Sequence, residues 1–357
     1  MRTVFRGKRI SGILGVLPER SVDFEEEVGN YAFPPKQTLR LQKVMGYQSH
    51  RLAKDTTATS DLCRAGLGHI LHKGWLRREE IGGLVVATTC PDHLIPPVSN
   101  LVQGALGLDR EVMCVDLSQG CVGFLLGVIQ AMMMLEHIPD RKVVVLAADV
   151  LSRRTSPRDR NSFPLVGDGA GIAVVENCPG AGEIHAVLYN DGSRGDALRI
   201  PAGGSRMPST PQTAALRDEE GDGNFRALDH LVMNGSDVFS FVQAEVPPLI
   251  EETLSWAGLG KEEVDWYLFH QPNRFMLRKL AEKLGLPYEK VPMDLVESFG
   301  NSSGACIPIL AAKDLSRELR EGSPQCCLAA FGSGLSWGAM TMRLGPLDFC
   351  QLLETDL

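Results

Sequence analysis

The chain has little that would tie it to a membrane, a metal or a nucleic acid. A bilayer-crossing helix needs ~18 or more apolar residues in succession. The longest apolar run, "CVGFLLGVIQAMMML", has 15 residues and ends at Glu136. It reads as a buried helix rather than a span. The N-terminal "MRTVFRGKRISGILGVLPERS" has basic residues, but its apolar segment is short and cut by Gly and Pro, so a signal peptide is not expected. No C-x-x-C pair occurs, which removes the usual zinc frameworks. No block of five like charges occurs and net charge is −8, so a nucleic-acid surface is not expected. No Walker lysine follows a glycine loop, and "VGDGAGIAVV" and "FGSGLSWGAM" lack the G-x-G-x-x-G spacing.

What is present is ordinary for a large globular core. The chain has 357 residues, 44% hydrophobic and 22% charged, with 37 glycines. Nine cysteines are an odd number in a chain too long to need covalent staples, so reduced thiols in a cytoplasmic protein are expected. Runs such as "IGGLVVATT" (81–89), "VMCVDLS" (112–118) and "KVVVLAADV" (142–150) are continuous and β-branched. Such strands are covered on both faces. They alternate with helical patterns, "DLCRAGLGHILHKG" and the run after Cys121, which argues a layered α/β fold.

The second half repeats the plan. "VDWYLFHQPN" (264–273) reads as a strand and loop, followed by a helix over 274–285 with Gly285 as its C-cap. Asn301 follows His270 by 31 residues, as Cys121 follows Cys90. Each pair starts at a strand end and finishes at a Gly-flanked turn before a helix. Two halves are expected, 1–178 and 231–357. The Gly-, Pro-, Ser- and Asp-rich stretch within 179–230 connects them as a long surface segment. Ligand sites of open α/β sheets lie at strand ends. In a duplicated fold, Cys121, His270 and Asn301 can then share one cleft.

Each of these three residues carries a chemical reading and a plain one. A cysteine at a helix N-terminus meets the positive end of the dipole, which lowers a thiol pKa. Cys121, between Gly120 and Gly123, fits that nucleophile and equally fits a small buried hydrophobe. His270, ending an apolar strand, fits a base or an oxyanion donor and equally a core histidine. Asn301, among small residues in "ESFGNSSGACIP", fits an uncharged donor and equally a helix N-cap.

Together, "DLSQGCVGF", "FHQPN" and "SFGNSSGACIP" resemble the Cys, His and Asn motifs of β-ketoacyl-acyl-carrier-protein synthase III, a thiolase-like condensing enzyme family. "LVGDGAGIAVVE", "MNGSDVFSFV" and "FGSGLSWGA" extend the resemblance over residues 46–344. It implies a duplicated five-layer αβαβα fold, a homodimer and no resident cofactor. It also implies that Cys121 takes an acyl group from a coenzyme A or carrier-protein thioester. His270 and Asn301 would then stabilise the enolate left when a malonyl-type thioester loses CO₂. The backbone N–H groups of Cys121 and Ser333 would form the oxyanion hole.

Two departures from the family pattern concern substrate binding. Arg40 and Val44 stand where the family has a Trp and an Arg that clamp the adenine, while Arg160 matches another nucleotide-contacting Arg. Ile95, in "CPDHLIPP", stands where a bulky residue of the partner subunit closes the acyl pocket, so a starter other than acetyl is implied. Arg274 and Arg278, four apart on one helix, are candidates for docking an acidic carrier. The rival readings are acyl transfer to an alcohol, amine or carbon nucleophile without decarboxylation, and a non-catalytic partner subunit of a heterodimer. A papain-like thiol hydrolase fits the motifs poorly.

Overall fold

The computed structural model describes residues 1–218 and 221–357. The β-branched runs form the strands Ile81–Ala87, Met113–Leu117 and Lys142–Asp149. They belong to a six-stranded sheet with the order 349–355, 8–18, 169–177, 142–149, 81–87, 113–117. A second sheet has five strands in the order 2–5, 184–190, 336–343, 325–332, 266–269.

The duplication is visible in the strand directions. In the first sheet 8–18 is antiparallel to 169–177, which is antiparallel to 142–149, which is parallel to 81–87. In the second, 184–190 is antiparallel to 336–343, which is antiparallel to 325–332, which is parallel to 266–269. The two four-strand units share one order and one set of directions.

The strand Lys142–Asp149 explains the layering. Val143, Val145 and Ala147 enter a central core, whereas Val144, Leu146 and Ala148 enter an outer one. Successive side chains point to opposite faces, so a strand apolar at every position needs cover on both. Gln325–Gly332 behaves alike: Cys326, Leu328 and Ala330 face the central core, and Cys327, Ala329 and Phe331 the other outer core. Helices Gly123–Met134 and Cys306–Asp314 fill the central layer between the sheets. Thr59–His72 and Val98–Ala105 cover one outer face. Gly235–Trp256 and Arg274–Leu284 cover the other. The result is the five-layer αβαβα arrangement. As expected, Gly285 closes Arg274–Leu284 in the left-handed region, with φ 68°.

The sheets do not divide at 178 and 231. Ile184–Asn190 lies within the stretch read as connecting, yet it is an inner strand of the second sheet. Arg2–Phe5 also joins the second sheet, and Phe349–Thr355 joins the first. Backbone pairing carries each terminus to the opposite half. The rest of the connection is short pairings, Leu198–Arg199 with Val232–Met233 and a bridge from Arg217 to Arg226. Among the described residues, no helix is long and apolar enough to cross a membrane.

Candidate active site

Five chain segments meet where the strands end. Asp149 closes Lys142–Asp149, Gly332 closes Gln325–Gly332, and His270 follows Trp266–Phe269 directly. Cys121 and Asn301 sit on the turns that lead into the two central helices. His270 is held by its own N–H, which donates to the Ala329 carbonyl at 2.8 Å. Asn301 is held from both sides of its backbone. Its N–H donates to the Leu165 carbonyl at 2.6 Å, and its carbonyl accepts from Gly167 at 3.0 Å. That approach needs glycine: a Cβ on Gly300 (φ 76°) would meet the Val166 carbonyl oxygen at 2.5 Å.

Cys121 precedes its helix by two residues, with Val122 as the N-cap. The dipole alone predicts a lowered thiol pKa, but the structure gives the opposite. Burial, then the Asp149 charge, pushes the Cys121 thiol up to about 11. The backbone N–H groups of Cys121 and Ser333 and the Ser303 hydroxyl act the other way without prevailing. Desolvation of a thiolate in an apolar site outweighs one helix end. Both N–H groups expected at the oxyanion hole thus favour the ionised sulfur. Gly332 leaves room for that sulfur, because a Cβ there would lie 2.6 Å from both Cβ and Sγ of Cys121.

His270 is 2% exposed and packs edge-on against Phe331, with ring centroids 5.8 Å apart. Burial lowers its pKa to about 4, with the main chain of Ser303 acting the other way, so the imidazole is neutral near pH 7. Its Nδ1 has no hydrogen-bond partner among the described residues. The amide orientation of Asn301 is set by two donors to its Oδ1, the Ser303 N–H at 2.9 Å and the Cys306 thiol at 3.2 Å. Its NH₂ is thereby the free end. The N-cap reading fails here, since the Asn301 side chain caps only a short turn at Ser303 and the central helix begins at Cys306.

A stability effect follows from His270. Between about pH 6.5 and about 4 the unfolded chain binds a proton that the buried ring refuses. Stability is lost as pH falls through that window. At pH 5 the loss from this group is expected to be about 2 kcal/mol, at 1.36 kcal/mol per pKa unit. Urea unfolding of wild type and His270→Asn at pH 7.5 and pH 5 checks it. The gap between the two proteins must change with pH in this direction, and a constant gap contradicts a buried neutral ring.

Cys121, Asn301 and Ser303 open into a cavity of about 390 Å³. Its walls are chiefly apolar, including Leu41, Met45, Leu165, Val238 and Phe239. A smaller mouth adjoins it at Leu41 and contains Arg40, Val44 and Arg160. There the Arg160 guanidinium lies 3.3 Å from the centre of the Phe33 ring. Its Nε and Nη1 are buried with no hydrogen-bond partner among the described residues.

Ile95 does not line this cavity. It is 83% exposed beside Leu94, 87% exposed. Nor are the two helix arginines free: Arg274 pairs with Glu297 at 2.8 Å, and Arg278 lies over the Tyr288 ring at 5.2 Å. Among the described residues, no cluster of three His, Cys, Asp or Glu side chains is placed to hold a metal ion. All nine cysteines are free.

Ser303, Asp149, Cys306 and Gly332 belong to this centre and were not singled out from the sequence. Ser303 bears on every member: its N–H donates to Asn301 Oδ1, its main chain favours protonated His270, and its hydroxyl favours the Cys121 thiolate. Its φ of 55° is the sole positive value among described non-glycine residues. Such a conformation is rare outside glycine and leaves no mark in the residue type.

Comparison with known proteins identifies relatives of this chain. Two family models match: 3-oxoacyl-[acyl-carrier-protein] synthase III over residues 115–192 and its C-terminal region over 254–344. The β-ketoacyl-[acyl-carrier-protein] synthase III of Syntrophomonas wolfei is 35% identical over 304 residues, covering 84% of this chain and 87% of that one. A crystal structure of 3-oxoacyl-(acyl-carrier protein) synthase from Burkholderia xenovorans superposes with a TM-score of 0.92 at 30% identity, covering 99% of both chains. The priming β-ketosynthase of the R1128 polyketide pathway superposes at 0.78, with 27% identity over 95% of this chain and 97% of that one. With such likeness over most of both chains, this chain belongs to the 3-oxoacyl-[acyl-carrier-protein] synthase III family of condensing enzymes.

Proposed function

We propose that Cys121 is acylated by a coenzyme A or carrier-protein thioester. The acyl-Cys then condenses with a malonyl-type thioester that loses CO₂ at His270 and Asn301. The observation that supports this reading is one apolar cavity lined by Cys121 and Asn301, with the Asn301 Oδ1 engaged by the Ser303 N–H and the Cys306 thiol. Negative charge develops on two oxygens in turn. The first is the tetrahedral oxyanion at Cys121, which the N–H groups of Cys121 and Ser333 meet. The second is the enolate oxygen, which a neutral imidazole and an amide meet without adding charge. Preorganised donors of this kind need no rearrangement as charge forms.

The partners follow from the same surfaces. The exposed pair Leu94 and Ile95 fits a homodimer in which Ile95 reaches the acyl end of the other copy's cavity. Burying such a pair is favourable by ~1.5–3 kcal/mol per side chain. Arg160 with Arg40 at the mouth fits a phosphate-bearing arm. Arg278 fits the contact with an acidic carrier better than Arg274, which Glu297 already neutralises.

Intact mass after incubation with a panel of acyl-CoA and acyl-carrier thioesters tests the reading. One acyl mass is expected on wild type and none on Cys121→Ala. Adding malonyl thioester must discharge the adduct with one CO₂ per acyl group. Discharge to an alcohol or amine without CO₂ would establish the non-decarboxylating acyltransferase instead. No adduct from any donor would favour a non-catalytic subunit.

A further inference from the structure

The acyl-transfer reading leaves one proton unassigned. Cys121 must lose its proton before it attacks, and its burial holds that proton on. His270 is neutral with Nδ1 unpartnered among the described residues, but it is not among the leading groups that shift the Cys121 thiol. The remaining acid–base group at the sulfur is Asp149, a carboxyl 1% exposed.

The hydrogen bonds of Asp149 are lopsided. Its Oδ1 accepts from Thr89 N at 2.7 Å, Thr88 Oγ1 at 2.8 Å, and Thr89 Oγ1 and Cys90 N at 3.1 Å each. Its Oδ2 is buried with no hydrogen-bond partner among the described residues. A carboxylate wholly enclosed with one bare oxygen is costly unless that oxygen is used. The Ser303 hydroxyl is the side chain that most favours the ionised Asp149, and it also favours the Cys121 thiolate. It lies against the turn that carries Cys121. A Cβ on Gly120, the residue before Cys121, would meet Ser303 Oγ at 2.8 Å.

We infer that Ser303 relays the Cys121 proton to Asp149 during acyl transfer. This deepens the reading above and rests on Cys121 being the nucleophile. As the thiol proton passes to Ser303 Oγ, the Ser303 proton passes to Asp149 Oδ2. The thiolate forms a bond to the thioester carbonyl carbon, and the bond from that carbon to the donor sulfur breaks. The departing sulfur takes the proton back along the same path. Cys121 ends acylated, the donor ends as a thiol, and Asp149 returns to carboxylate. Ser303 touches the reacting atom; Asp149 acts through it as a positioning residue.

Two variants test the relay in the full-length protein, with single-turnover acyl transfer to Cys121 followed by intact mass from pH 6 to pH 10. The other titratable groups of this centre are Asp149, His270 and Cys306, and both variants leave the latter two unchanged. Ser303→Ala keeps a Cβ at the same φ, and Asp149→Asn keeps an acceptor for the four Oδ1 donors. Each is expected to slow acylation at pH 7 by ~10²-fold, the usual contribution of a placed acid–base group. The deficit should shrink towards pH 10, where hydroxide ionises the thiol directly. Apparent donor affinity should change little.

The opposite sign overturns the relay. If Asp149 only repels the thiolate, Asp149→Asn must acylate faster at pH 7 than wild type. A deficit equal at every pH would mark a structural role, and also overturns it. If Ser303→Ala does not fold, Asp149→Asn decides alone. Failure of the nucleophile assignment itself is distinguishable, because then wild type carries no acyl mass at all.

Discussion

Asn301→Asp is expected to acylate Cys121 at close to the wild-type rate and then to stall. The amide is held so that Oδ1 takes the Ser303 N–H and the Cys306 thiol, leaving NH₂ as the end that faces the cavity. Aspartate has the same shape, so the two donors still find an oxygen. The free end, however, changes from a donor to a negatively charged acceptor. Losing one oxyanion donor costs roughly 10²–10³ in rate, and a carboxylate beside a forming enolate adds repulsion. Decarboxylation of malonyl thioester should therefore fall by at least ~10³, read as CO₂ release from acylated enzyme. In the proposed mechanism acyl transfer uses the N–H groups of Cys121 and Ser333 instead. A variant that releases CO₂ near the wild-type rate would remove Asn301 from the enolate step.

Cys306 sharpens that prediction. Its thiol is buried and donates to the same oxygen. Cys306→Ser preserves a donor, whereas Cys306→Ala removes it and leaves orientation to one N–H. The effect of Ala is expected to be smaller than that of Asn301→Asp, since Ser303 N–H remains.

The legible part of this fold was its pattern of burial. Six successive apolar positions, such as 143–148 in Lys142–Asp149, declare cover on both faces, and the same pattern at 326–331 in Gln325–Gly332 declares the second sheet. The equal spacing of Cys90 to Cys121 and His270 to Asn301 reflected equivalent strands leading to the two central helices. The strand Ile184–Asn190 escaped because the segment around it is Gly- and Ser-rich and its partners, 336–343 and 2–5, are remote in sequence. Pairing between distant segments is not written in either one alone.

The site was legible where a residue type carries chemistry and illegible where position does. Cysteine, histidine and asparagine announce themselves. Gly332 and Ser303 matter for where they stand. The thiol pKa of Cys121 could not be read from its helix, because burial and Asp149 come from other segments of the chain. Arg274 shows the converse: its side chain has the charge expected of it, yet Glu297 neutralises it.

Gly332→Ala is expected to abolish acylation while leaving the fold in place. The glycine lies on an extended strand without a positive φ, so alanine meets no backbone strain there. The obstacle is one side chain. The new methyl carbon would lie 2.6 Å from Cβ and Sγ of Cys121 and 4.0 Å from its Cα. Atoms cannot approach so closely, and rotation about the Cα–Cβ bond moves Sγ but not Cβ, so the Cys121 side chain must turn and the two backbones must also draw apart. Rotation takes Sγ from beneath the Ser333 N–H and away from the Ser303 hydroxyl, the groups that stabilise its thiolate. Overpacking of this kind costs typically ~1–3 kcal/mol of stability. The loss of an aligned nucleophile and its oxyanion donors together exceeds ~10³ in rate. Intact mass with an acyl donor reads the first effect and urea unfolding the second. If the alanine variant still takes an acyl group at the wild-type rate, Cys121 does not attack from the position it holds against Gly332.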